Sequence, residues 1–133
     1  MKVLTTVRPR SSGAAAADAD AGRPTEEVLS DHLDRRRTGD LEGDLAHNYD
    51  SAVVLLSAEG VHRSHDGVRR LAGILHSYVP AGTYDYGQVL CDGPVGMLQW
   101  SARSEDTEIH DGADSYLVRD GLIVAQTIHY SVR

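Results

Sequence analysis

Few side chains able to move a proton sit in the apolar parts of this chain. His32 falls on one face with Val28, Leu29, Leu33 and Arg36 at i, i+3, i+4 spacing, so a helix there carries an imidazole on its apolar stripe. The last hairpin adds more. With Asp120-Gly121 as its turn, Arg119 pairs with Leu122, Tyr116 stands opposite Ala125, Asp114 opposite Thr127, and Gly112 opposite His129. Side chains alternate along a strand. Asp114, Tyr116, Val118, Ile123, Ala125, Thr127 and His129 then share one face, and Leu117, Val124, Ile128 and Tyr130 the other. A β-bulge in the hairpin would turn His129 outward instead. A carboxylate, hydroxyls and an imidazole on one face could orient a ligand oxygen and exchange a proton with it. Pairing across Asp92-Gly93 sets Asp85 opposite Trp100, a spare acid on the face of a candidate stacking wall. His62-x-x-His65 lies in a turn without a nearby carboxylate or cysteine pattern, which argues against a metal site. His47, His76 and His110 read as surface or loop residues.

The elements that must position these groups are legible. Thr25 can cap a helix whose first turn holds Glu26 and Glu27, and Gly39 stops it. Arg35, Arg36 and Arg37 suit its C-terminal end against the helix dipole. Asp40 caps a shorter helix running to about Asn48. A β-branched run at 52–56 predicts a strand, Glu59-Gly60 a turn, and 61–63 a short return. Asp66 can cap a third helix with a stripe of Val68, Leu71, Ala72, Leu75 and Val79, ending before Pro80. Strands follow over 84–91, 95–103, 110–118 and 122–132. Helices segregated to one face of an antiparallel sheet make an α+β domain.

The bulk composition narrows the function. At 133 residues the chain fits one domain. Residues 1–24 are low in complexity and read as a flexible tail, leaving 25–133 as the domain. A net charge of −7 disfavours nucleic acid. Neither a signal peptide nor a membrane span is visible, and the lone Cys91 forms no intrachain disulfide, so a cytoplasmic location is expected. With no Phe, the six Tyr and one Trp supply the aromatic bulk, and their polar tips hint at a polar-lined cavity.

Three segments carry a resemblance. TGDLEG over 38–43 resembles the join between the first two helices of nuclear-transport-factor-2-like proteins. AEGVHRSHDGVR over 58–69 is similar to the turn and third-helix start of their SnoaL-like members, and ADSYLVRDGLI over 113–123 to the final hairpin. The resemblance implies a cone-shaped curved antiparallel sheet wrapped around three helices and enclosing a pocket for an apolar small molecule. Ketosteroid isomerases, polyketide cyclases, dehydratases, epoxide hydrolases and non-catalytic modules share that class, so function rests on the site.

By resemblance to the ketosteroid isomerases, Asp114 takes the place of the carboxyl in the oxyanion hole. His32 takes the place of a helix tyrosine, and Leu56 that of the catalytic base. Loss of that base argues against their mechanism. What the resemblance leaves is a His32–Asp114 pair, with His129 as a second imidazole and Tyr116, Thr127 and Trp100 around the ligand. The expected function is cofactor-free acid–base chemistry (cyclisation, isomerisation, dehydration or epoxide opening) on an apolar, polyketide-like or cyclic substrate. The alternative is a small-ligand-binding or dimerisation module in which the same polar groups only satisfy one another. A homodimer is expected through the outer sheet face, with Leu117, Val124, Ile128 and Tyr130.

Overall fold

The computed structural model describes residues 22–80 and 83–133, so the expected tail lies outside the described residues up to position 21. Arg23, assigned to that tail, is tied into the domain: its guanidinium donates to Asn48 Oδ1 at 3.1 Å and to the Gly121 carbonyl at 2.8 Å. Helix α1 spans Thr25–Arg37 and buries Val28, Leu29, His32 and Leu33. Thr25 does not cap it. Its hydroxyl donates to the Gly93 carbonyl at 2.6 Å and fastens the helix to a distant turn. Gly39, at φ +76°, supplies the left-handed turn that ends the segment. Asp40 then caps α2 (Leu41–Asn48) by accepting the Gly43 N–H at 2.9 Å. Strands β1 (Tyr49–Ser57) and β2 (Gly60–Arg63) lead into α3 (Ser64–Tyr78). Asp66 does not cap α3; it sits in the first turn and pairs with Arg69 at 2.6 Å. Strands β3 (Thr83–Asp92), β4 (Val95–Arg103), β5 (Glu108–Arg119) and β6 (Leu122–His129) complete the described elements.

The described strands form one six-stranded sheet in the order β2-β1-β6-β5-β4-β3. It is mixed rather than wholly antiparallel, because β1 and β6 run parallel. Register shifts interrupt the β1–β6, β3–β4, β4–β5 and β5–β6 ladders. Such bulges bend strands and sharpen twist, and here the sheet curves round the helices without closing. The core joins α1 and α3 residues Val28, Leu29, Val68 and Leu71 to the inner sheet residues Val53, Leu55, Leu98, Ile109 and Ile123. Among the described residues no helix is long and apolar enough to cross a membrane.

Two registers differ from those read in the sequence. In the last hairpin the Asp120-Gly121 turn forms with φ of +55° and +77°, and Arg119 pairs with Leu122. Beyond Val118 and Ile123, however, Leu117 pairs with Ala125, so β6 has one residue more than β5. Ile123 and Gln126 are both buried although three apart, which needs that extra residue. Every later side chain changes face. Thr127 and His129 are exposed on the outer side, while Gln126, Ile128 and Tyr130 face the interior. In the other hairpin Asp92 pairs with Val95, which makes Gly93-Pro94 the turn, and a second shift follows between Tyr86 and Val89. Tyr86 therefore stands opposite Trp100, and Asp85 stands opposite Ser101, exposed.

Candidate active site

The concave side of the sheet and the helices enclose a cavity of about 180 Å³. Its polar wall is His32, Asp114, Gln126 and Tyr49. Its apolar and aromatic walls are Leu55, Leu98, Trp100, Tyr84, Tyr86 and Tyr130 with the α3 residues Leu71 and Leu75. Half-buried Arg36 and exposed His76 mark the rim.

The helix stripe delivers His32, which is buried. Its carboxylate partner is not Asp114. Nδ1 lies 2.8 Å from Oδ2 of Asp44, a fully buried side chain from α2. The short loop at Gly39 folds α2 back so that Asp44 reaches the imidazole. Asp44 Oδ1 accepts from Asn48 Nδ2 at 2.9 Å, and the same Nδ2 reaches Asp31 Oδ2 at 2.8 Å. A carboxylate only accepts, so Nδ1 carries a proton. His32 Nε2 lies 3.2 Å from the Tyr116 hydroxyl, which lies 3.2 Å from Asp114 Oδ2.

Asp114 is buried at the end of this row. Trp100 Nε1–H donates to its Oδ1 at 2.9 Å, and Gln126 Nε2 donates to its Oδ2 at 3.0 Å. Gln126 in turn accepts the Tyr49 hydroxyl through Oε1 at 2.5 Å. The indole reaches Asp114 because position 112 is glycine: a Cβ there would overlap the Trp100 ring. Burial raises the Asp114 carboxyl above the ordinary range, against the opposing effects of Trp100, the His32 charge, Gln126 and Tyr116. Burial likewise holds the Tyr116 and Tyr49 phenols far above their usual value, so both stay neutral.

The row Asp44–His32–Tyr116–Asp114 can hold its protons in two ways. In one, Nε2–H donates to the phenol oxygen and the phenol donates to ionised Asp114. In the other, protonated Asp114 donates to the phenol oxygen and the phenol donates to a neutral imidazole. The two differ only by a shift of protons along hydrogen bonds already present, and the number of protons is the same. The arrangement can thus place a proton at the cavity wall on Asp114 or withdraw it to His32.

The structure brings His32, Asp114, Tyr116 and Trp100 into this cluster, with Tyr116 behind the wall and not among the cavity-lining residues. It excludes His129, Thr127, Asp85 and Leu56. His129 is exposed, 3.4 Å from Asp111. Leu56 is 47% exposed beside Thr127 on the outer face, and its neighbour Leu55 lines the cavity instead. Ile128 and Tyr130 belong to the cavity and not to an outer interface. Asp44, Gln126, Tyr49 and Tyr86 also belong to the site, although no motif in the sequence singles them out. Asp44 and Asn48, two polar residues four apart on a short helix beside Leu45, are the most direct signal.

No family model matches the sequence, and no curated protein matches it. Solved structures do. A nuclear-transport-factor-2-like protein of unknown function from Burkholderia xenovorans is similar with a TM-score of 0.67 at 14% identity, over 80% of this chain and 81% of that one. A candidate ketosteroid isomerase from Kribbella flavida gives 0.67 at 16% identity, over 79% and 76%. A candidate polyketide cyclase from Sinorhizobium meliloti gives 0.64 at 13% identity, over 77% and 93%. The chain has the nuclear-transport-factor-2-like fold, an α+β cone with a curved sheet around three helices.

Proposed function

We propose that this protein is a small-molecule enzyme of the SnoaL-like kind that performs cofactor-free acid–base chemistry on a cyclic, largely apolar substrate. Cyclisation, isomerisation, dehydration and epoxide opening all need a proton delivered to, or taken from, a group held in an apolar cavity. The observation that carries the reading is the row from Asp44 through His32 and Tyr116 to Asp114, which ends at the cavity wall. Asp114 exchanges the proton with the bound molecule, and His32 stores it through Tyr116. Asp44 is a positioning residue that fixes the imidazole tautomer. Assisted proton transfer of this kind contributes about 10²–10⁴-fold. Fold neighbours named as a candidate isomerase and a candidate cyclase agree with this class of chemistry.

Cavity size bounds the substrate. An apolar cavity of about 150 Å³ accepts one benzene ring, so about 180 Å³ suits a single ring with substituents. One observation favours the non-catalytic alternative: the polar atoms of the cluster satisfy one another without a ligand. Deuterium exchange at the α-carbon of cyclohexenone in D₂O, followed by NMR, separates the two. The parent should accelerate exchange over buffer and Asp114→Ala should not. No acceleration by the parent at saturating ketone leaves the binding module as the reading.

Self-association through the outer sheet face belongs to the same proposal. Leu117 and Val124 remain on that face, and Leu56 and Val61 are exposed there as cross-strand partners. Sedimentation at tens of micromolar tests it, and a monomer there removes it.

A further inference from the structure

The three arginines that end α1 are used differently. Arg35 pairs with Asp31 and Asp40, each at 2.8 Å, and Arg37 pairs with Asp34 at 3.0 Å while lying over the Tyr86 ring. Arg36 is half-buried and lines the cavity, and among the described residues its guanidinium has no hydrogen bond or ion pair. Burial raises Tyr49, Tyr84 and Tyr86 above their ordinary value, and the positive charge of Arg36 opposes that rise in each. The chain carries a net charge of −7, so acidic partners for a cation abound on it. Arg36 therefore brings to the cavity rim a cation that is not consumed by a protein carboxylate, where an anionic group of a bound molecule would be attracted.

The rest of the cavity says what kind of molecule that would be. Tyr84, Trp100 and Tyr130 form a continuous aromatic wall, with ring centroids 5.9 Å and 6.1 Å apart along it. Arg36 follows His32 by four residues, about 6 Å along the helix axis, so the two lie one turn apart on the helix wall of the cavity. We propose that Arg36 anchors the carboxylate of a monocyclic acid. The carboxylate meets the guanidinium fork, the ring lies against Tyr84, Trp100 and Tyr130, and the far end of the ring meets Asp114. This rests on the cavity being a ligand site, as proposed above, and is independent of whether Asp114 transfers a proton.

Trp100 is the one tryptophan of the chain and lines the cavity, so its fluorescence reports occupancy. The probes are cyclohexanecarboxylate and its neutral isostere cyclohexanecarboxamide, titrated into the full chain at neutral pH. The acid should bind about tenfold more tightly than the amide, the range for a hydrogen bond to a charged partner. Arg36→Met should abolish that preference by weakening the acid much more than the amide, and Arg36→Lys should restore part of it. Equal binding of acid and amide by the parent, or a preference that survives Arg36→Met, overturns the anchor and leaves the ligand cavity standing. Failure of both probes to bind overturns the anchor and the ligand cavity together.

Discussion

The Tyr116 hydroxyl lies 3.2 Å from His32 Nε2 and 3.2 Å from Asp114 Oδ2, so one phenol links an imidazole on α1 to a carboxylate on the same strand as itself. Tyr116→Phe keeps the ring and removes the link. If the row acts as a unit, the variant loses about 10²-fold of the ketone exchange rate. Combining it with His32→Gln should then cost little more than either change alone, because members of one relay are not additive. Losses that multiply in the double variant would mean that the two residues act separately.

Asp114 gives a pH dependence with a definite sign. Burial raises its carboxyl above the value of 3.8 that it has in an unfolded chain. Stability from this group is therefore fully present below that unfolded value and is lost as pH rises through the higher folded value. Asp114→Asn never ionises and does not lose it. The amide misplaces one donor among Trp100, Tyr116 and Gln126, so the variant is less stable than the parent at every pH, but its deficit should shrink from pH ~4 to pH ~7. Urea unfolding at the two values measures this, and a deficit that grows with pH would contradict the raised carboxyl.

Gly112 and Gly73 should respond oppositely to alanine. A methyl at 112 would overlap the Trp100 indole, so Gly112→Ala must displace the ring that donates to Asp114. A loss of about 1–3 kcal/mol is expected, with an altered Trp100 emission spectrum. At position 73, in the middle of α3, nothing stands within 4 Å of an added Cβ. Gly73→Ala should stabilise by about 0.5–1 kcal/mol. Thermal melts of both variants check the pair.

Much of this fold was legible because its punctuation is strong. Gly39-Asp40 marks a helix join and Asp120-Gly121 a hairpin turn, and both form where their residue types demand. The helix periodicity also places His32 inside. The outer boundary of the site was not legible, and the reason is a single residue. Val118 and Ile123 keep the hairpin register, while Leu117 already faces Ala125. The apolar run around Val124 carries no local mark of that bulge, yet it turns Thr127 and His129 out and brings Gln126 in. Asp85 left the site in the same way, through a turn at Gly93-Pro94 and a shift after Tyr86. The His32–Asp44 contact is harder still to read, since it depends on how closely α2 folds back on α1, which no periodicity within either helix encodes.

Asp44 offers the sharpest separation of positioning from binding. Its two oxygens each accept from a donor, His32 Nδ1 at 2.8 Å and Asn48 Nδ2 at 2.9 Å. Asn48 is not free to turn round, because its Nδ2 also reaches Asp31 and its Oδ1 accepts from Arg23 at 3.1 Å. In Asp44→Asn the oxygen therefore stays toward Asn48, and the new NH₂ faces Nδ1. The imidazole must then keep its single proton on Nε2 and offer Nδ1 as the acceptor. Passing that proton through Tyr116 to Asp114 would leave an imidazolate, so the relay is blocked although its atoms remain in place. Exchange on cyclohexenone should fall by about 10²–10⁴-fold, while cyclohexanecarboxylate should bind as it does to the parent. An unchanged exchange rate would reduce Asp44 to a structural support for α2, and weakened carboxylate binding would show that the variant had disturbed the cavity itself.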